Sequence, residues 1–176
     1  MKISIVGTGK IVHEVMHMLA DELPDKITVT GIYARPQSEE NAKILAKETG
    51  SKAIVYTDYD QMLEETEADF VYIANANHVH FQYAMQAMKA GHNVIVEKPI
   101  TTSRVEMDML LDMALQKGVY CLPAYSLLYM PLYRQLAQIL PQLGTIRMVN
   151  GCYAQYSSRY DRYLKGEMTP TFDTGC

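Results

Sequence analysis

The chain has 176 residues, 48% of them hydrophobic and 20% charged, with a formal net charge of −4 and a pI near 5.7. That length holds one domain with a sizeable core and part of a second, and the acidic balance argues against a nucleic-acid binder, which would carry a basic face. No apolar run is long enough to span a bilayer. The opening MKISIVGTGK is too short in its apolar part for a secretory leader. Cys121, Cys152 and Cys176 lack pairing or metal-type spacing and read as free thiols of a reducing cytosol. The expectation is a cytoplasmic protein with neither membrane nor nucleic acid as partner.

Short apolar runs alternate with amphipathic ones along the chain. Ile3 to Val6 predicts a strand, and Ile11 to Leu23 a helix with Ile11, Val15, Met18 and Leu19 on one face. A second strand is expected over Ile27 to Tyr33, then a helix from Ser38 to Thr49 closed by Gly50. Ala53 to Tyr56 and Phe70 to Ala74 read as the third and fourth strands, with a short helix, Gln61 to Glu65, between them. The helix from His80 to Ala90 stops at Gly91, and Val94 to Val96 is the fifth strand. Ser103 and Glu106 form a capping-box pattern that opens a helix ended by Gly118. Val119 to Leu122 is the sixth strand, followed by a helix over Tyr129 to Leu140 and a strand over Thr145 to Tyr156.

Strands apolar throughout, separated by helices, imply a doubly wound α/β fold with a parallel sheet covered on both faces. Ligands of such sheets sit outside the carboxyl ends of the strands, so chemistry is expected at those ends. The first runs into GTGKIV, where Gly7 permits a tight turn and Gly9 a close approach of backbone to a pyrophosphate, with helix amides behind it. The third glycine position of that pattern is Val12. The second strand ends YARPQS: Ala34 and Arg35, with Ser38 nearby, stand where an NAD site carries a carboxylate for the ribose. A guanidinium suits a 2′-phosphate, so NADP is the expected cofactor, with NAD possible.

The fourth strand end, IANANHVH, brings Ala74 to the same edge with Asn75 and Asn77, whose amides can serve a ribose or nicotinamide. His78 and His80 are spaced wrongly for one metal and no Cys or carboxylate cluster completes a site, so no metal is expected and His80 reads as a capping or packing residue. The fifth strand ends VIVEKPITTS, putting Glu97, Lys98 and Pro99 directly after three buried residues.

GTGKIV, IANANHVH and above all VIVEKPITTS resemble the glucose-fructose oxidoreductase, inositol dehydrogenase and MocA (Gfo/Idh/MocA) family of NAD(P)-dependent oxidoreductases, over about residues 1 to 160. The resemblance implies a Rossmann-type domain over 1–122 and, over 123–176, the beginning of an incomplete α+β domain for substrate and dimerisation. It implies that Lys98 stands beside the nicotinamide and the reacting oxygen after a cis Lys98–Pro99 bond, and that Glu97 orients it. Gly7, Gly9, Lys10 and Ile11 would line the pyrophosphate turn, with Asn77 and His80 near the nicotinamide. Ala76 replaces a proline common in the family, and the chain stops at Cys176, where members continue for a further half.

The expected function is therefore hydride transfer between a nicotinamide cofactor and a sugar, polyol or related hydroxyl or ketone, in a homo-oligomer. Lys98 would be the general acid or base, its ionisation lowered by the cationic ring and by partial burial. The competing reading is a dinucleotide-binding or redox-sensing module without turnover. The tyrosines and arginines of the tail (Tyr156, Arg159, Tyr160, Arg162 and Tyr163) suit a substrate or interface loop better than an RNA-stacking patch. Ile146, Met148 and Val149 would lie on a strand with few partners following it.

Overall fold

A computed structural model describes residues 1–152. Six strands, β1 (Lys2–Val6), β2 (Thr28–Tyr33), β3 (Ile54–Tyr56), β4 (Phe70–Ile73), β5 (Asn93–Val96) and β6 (Cys121–Pro123), form one sheet in the order β3-β2-β1-β4-β5-β6. Every neighbouring pair is parallel. Six helices are α1 (Lys10–Glu22), α2 (Glu39–Glu48), α3 (Tyr59–Glu65), α4 (His80–Lys89), α5 (Arg104–Lys117) and α6 (Pro131–Ile139).

Strand alternation sends successive side chains to opposite faces, and two cores result. Ile3 and Ile5 pack with Val12, Met16 and Leu19 of α1 and with Ala42 and Leu45 of α2. Val6, Val71, Ile73, Val94 and Val96 pack with Met62 of α3, Ala84 and Met88 of α4 and Leu110 of α5. Helices therefore change face between β3 and β4, and the winding reverses between the adjacent strands β1 and β4, the position where such sheets open a cleft.

Several boundaries follow local chemistry. Asp58 accepts from the Gln61 amide at 3.1 Å and starts α3 two residues earlier than expected, a cap the sequence reading passed over. Gly118 takes the left-handed conformation, φ 66°, that closes α5. The capping box of α5 is only half the expected one. The Glu106 amide donates to Ser103 Oγ at 3.4 Å, but the Glu106 carboxylate accepts from Thr101 Oγ1, and Thr101 in turn caps the Ser103 amide at 3.2 Å.

Two expectations are corrected. The buried face of α1 is Val12, Met16 and Leu19, whereas Ile11 and Met18 are exposed. The stripe is turned because α1 covers β1 and also leans on α2, and that direction is a property of the packing. Residues 145–152 form no strand, and their backbone N–H groups bond to no carbonyl among the described residues. A strand exists through its ladder, and among the described residues this segment has no ladder partner. The remainder of that predicted strand, the tail tyrosines and arginines, and Cys176 lie outside the described residues.

The chain divides into two units, Met1–Ala124 and Tyr125–Cys176. Within the described part of the second, a 3₁₀ turn (Ser126–Tyr129) leads into α6, whose N1 proline, Pro131, suits a helix start. Among the described residues no helix is long and apolar enough to cross a membrane.

One tightly packed spot inside the first unit is polar. Ser4 is fully buried in β1, and its Oγ donates to Thr66 Oγ1 at 3.1 Å while Thr66 passes its own hydrogen to the Met62 carbonyl at 2.6 Å. This chain occupies the space beside Gly31, where a Cβ would stand 2.9 Å from Thr66 Cγ2 and 3.3 Å from Ser4 Oγ. Gly31→Ala is expected to destabilise the fold by about 1–3 kcal/mol through overpacking, read as a lower urea midpoint at unchanged slope.

Candidate functional site

The carboxyl ends of β1, β2, β4 and β5 are locked to one another by single backbone bonds just beyond the ladder. Gly7 donates to Tyr33 O at 3.0 Å, Ala74 to Val6 O at 3.0 Å, and Glu97 to Ile73 O at 2.9 Å. Gly7 is at φ 120°, and a Cβ on it would lie 2.9 Å from the Ala74 carbonyl oxygen. Both its conformation and its surroundings require glycine. Gly9 caps α1 and is bordered by open space, with nothing within 4 Å of where its Cβ would be. The amides of Val12 and His13 bond back to Gly9 O, which leaves those of Lys10 and Ile11 at the helix mouth facing that space. The Ile11 side chain is exposed there, and Val12 fills the third fingerprint position without forcing α1 off the sheet, since it is fully buried against β1 and α2.

At the end of β2, Ala34 is buried and Arg35 is exposed, leading into a 3₁₀ turn over Pro36–Ser38. Ser38 is half-buried and its amide donates to the Arg35 carbonyl at 2.7 Å. Among the described residues Arg35 has no ion pair. Near it is a cluster of three tyrosines that sequence reading did not single out. Tyr33, Tyr59 and Tyr83 have ring centroids 4.8–5.5 Å apart, and the Tyr33 and Tyr83 hydroxyls share a 3.1 Å hydrogen bond. Burial, then the Tyr33 hydroxyl, pushes the ionisation of Tyr83 up to about 12, while the nearby Arg35 charge acts in the opposite sense. The Arg35 charge is therefore close enough to the tyrosine cluster to act on Tyr83.

The β4 and β5 ends carry the polar groups. Ala74 is buried, Asn77 is half-buried in the 3₁₀ turn Asn77–Val79, and Asn75 has a buried side-chain oxygen with no partner among the described residues. An orphaned buried acceptor is costly, and this one lies beside the Gly7 turn. His80, expected near the nicotinamide, is fully buried. Its Nδ1 lies 2.8 Å from Pro99 O and its Nε2 3.2 Å from Asn75 O. Both ring nitrogens face backbone, so His80 ties the β4 turn to the β5 turn and offers no nitrogen to a ligand.

Lys98–Pro99 is cis, as the resemblance implied. Glu97 is half-buried and accepts from the Tyr72 hydroxyl at 2.7 Å. Tyr72 was not singled out from sequence, although its position, one residue out of phase with Val71 and Ile73, marked it as facing the other layer. Burial and the bond to Glu97 push its phenol well above the usual range. Two expectations about Lys98 change. Its side chain is exposed instead of partly buried, and among the described residues Glu97 forms no ion pair with its ammonium but accepts from its backbone amide at 3.3 Å.

The glycine turn without room for a side chain, the free amides of α1 and the orphaned Asn75 oxygen fit a dinucleotide, with the pyrophosphate at the helix mouth. Known proteins resemble this chain. The uncharacterized oxidoreductase YgjR of Escherichia coli is 32% identical over 98% of this chain and 51% of its own length. The NADP(+)-dependent scyllo-inositol 2-dehydrogenase IolU of Bacillus subtilis is 29% identical over 97% of this chain and 51% of its own. Among solved structures, the 3-ketoreductase KijD10 of Actinomadura kijaniata, in complex with TDP-benzene and NADP, superposes with a TM-score of 0.70 at 26% identity, over 81% of this chain and 43% of that one. The chain thus spans about half the length of the curated relatives it matches. Residues 1–125 match the family described as an oxidoreductase family with an NAD-binding Rossmann fold, and the chain belongs to that family, Gfo/Idh/MocA.

Proposed function

We propose that this chain forms the NADP-binding and proton-transfer part of an oxidoreductase acting on a hydroxyl or ketone of a sugar- or polyol-like substrate. The observation that carries the reading is the arrangement at the β5 end: an exposed ammonium on a backbone whose neighbours on both sides are pinned. Glu97 is held by Tyr72, and Pro99 by His80. The names of two relatives, an NADP(+)-dependent inositol dehydrogenase and a ketoreductase with NADP, support both the cofactor and the substrate class.

Gly7, Gly9 and the amides of Lys10 and Ile11 receive the pyrophosphate. Arg35 and Ser38 face a 2′-phosphate, a bidentate task for which a guanidinium is suited. Asn75 and Asn77 meet the nicotinamide side. When bound, the nicotinamide supplies or accepts the hydride. In the reducing direction Lys98 gives a proton from Nζ to the carbonyl oxygen as that oxygen gains charge; in the oxidising direction the neutral amine takes the hydroxyl proton. Glu97 and Tyr72 act as positioning residues by fixing the strand end from which Lys98 projects.

Fluorescence titration of the 176-residue chain is expected to show NADPH bound at least about 10-fold more tightly than NADH, the worth of one charge-assisted contact. Arg35→Asp is expected to reverse the order. Tighter NADH binding by the wild-type chain overturns the NADP assignment.

Lys98→Met is expected to leave NADPH affinity within about 3-fold while lowering turnover on an inositol and ketosugar panel by about 100-fold or more. An equal loss of affinity and rate makes Lys98 a cofactor anchor.

A further inference from the structure

Four residues apart on α1, His13 and His17 lie one turn above the other on the same side of the helix. The fold sets α2 against that helix, because both cover the same face of the sheet through Val12, Met16, Ala42 and Leu45. Glu48, the last residue of α2, thereby arrives opposite the pair. One ring nitrogen of each histidine and one carboxylate oxygen of Glu48 all lie within 4.8 Å of one another. His13 is half-buried at the seam between the helices, and His17 and Glu48 are exposed. Among the described residues none of the three side chains enters an ion pair or a hydrogen bond.

We propose that His13, His17 and Glu48 bind a divalent transition-metal ion of the zinc class. Two imidazoles and one carboxylate suit zinc, nickel or copper and disfavour magnesium or calcium, which seek oxygen alone. Ligand bonds near 2.0–2.1 Å in a tetrahedron would hold the three donor atoms about 3.4 Å apart. The three donor atoms, already within 4.8 Å of one another, must close in by rotation of the side chains, two of which are exposed. Three protein ligands leave one position for water.

The placement of Glu48 is a second, independent observation. A carboxylate in the last turn of a helix sits at the negative end of the macrodipole, where acidic residues are disfavoured and cations are favoured. Glu48 is the last residue of α2 and so stands at that end. A cation held there meets both the carboxylate and the dipole. Bound metal would brace α1, which opens at the Gly7 turn, against α2, which follows Arg35. Neither the cofactor nor the reaction proposed above enters the inference.

The chain, stripped with EDTA and dialysed, is titrated calorimetrically with zinc chloride and, in parallel, with magnesium chloride. The expected result is one zinc ion per chain, no comparable magnesium binding, and a rise in melting temperature on zinc addition. His17→Ala and, separately, Glu48→Gln are each expected to weaken zinc by at least about 10-fold and to abolish the thermal shift. Glu48→Gln leaves both helices chemically intact, so a normal circular dichroism spectrum with lost zinc affinity assigns the effect to the ligand. No zinc binding by the wild-type chain overturns the site. So does binding that both variants retain, which would place the ion on the cysteines or elsewhere.

Discussion

The carboxyl edge of the sheet depends on how closely β1 approaches the turn after β4. With Gly7 at φ 120° and its missing Cβ 2.9 Å from the Ala74 carbonyl, two backbones touch where most proteins would have a side chain. The contact is at the point where the winding of the sheet reverses, so the chain leaving β1 enters α1 on one face and the chain leaving β4 enters α4 on the other. Any side chain at residue 7 would wedge these exits apart and remove the shelf on which α1 presents its amides. A fold with the same strands and a different residue there would have a sheet but no site.

The same edge explains why a buried strand ends in opposite charges. Val94 and Val96 are fully buried in the second core, yet the next residue stands where the sheet meets solvent. Glu97 can lie there because its carboxylate has a donor, Tyr72, reaching across from the neighbouring strand. His80 performs the corresponding service one turn later by facing the Pro99 carbonyl. Its other ring nitrogen lies 3.2 Å from the Asn75 carbonyl oxygen, so the imidazole bridges the two turns. The polar groups that hold the backbone are thus supplied by β4 and α4, while the lysine between them is left free. A side chain with a fixed base and an accessible head suits the proton transfer proposed for Lys98.

Arg35 has a comparable base. Tyr33, Tyr59 and Tyr83 come from β2, α3 and α4 and pack on one another, and Tyr33 is the residue from which the YARPQS turn leaves the strand. The backbone of that turn is held by Ala34 donating to Tyr56 O at 2.9 Å and Ser38 to Arg35 O at 2.7 Å. A guanidinium rooted on a turn held in this way has less freedom to lose on meeting a phosphate, so more of the interaction remains as affinity.

Most of the elements were legible in the sequence, because strands and helices are announced by neighbours in the chain: apolar runs, Gly50, Gly91 and Gly118 at helix ends, Ser103 at a start. GTGKIV and VIVEKP were legible for the same reason, since a turn and a strand end are local. What sequence could not supply was every relation across the sheet. The burial of Val12 and Met16 instead of Ile11 and Met18, the pairing of Tyr72 with Glu97, the closure of His80 onto Pro99, and the meeting of His13 and His17 with Glu48 all depend on which strands lie side by side and on their register. Residues 145–152 make the converse point: their apolar pattern reads as a strand, but a strand forms only when another backbone lies within hydrogen-bonding distance. The sequence alone determined where the chain extends, coils and turns, because those choices are made within a few residues. The tertiary structure decided which side chains meet, because contacts between distant residues are set by the packing of whole elements.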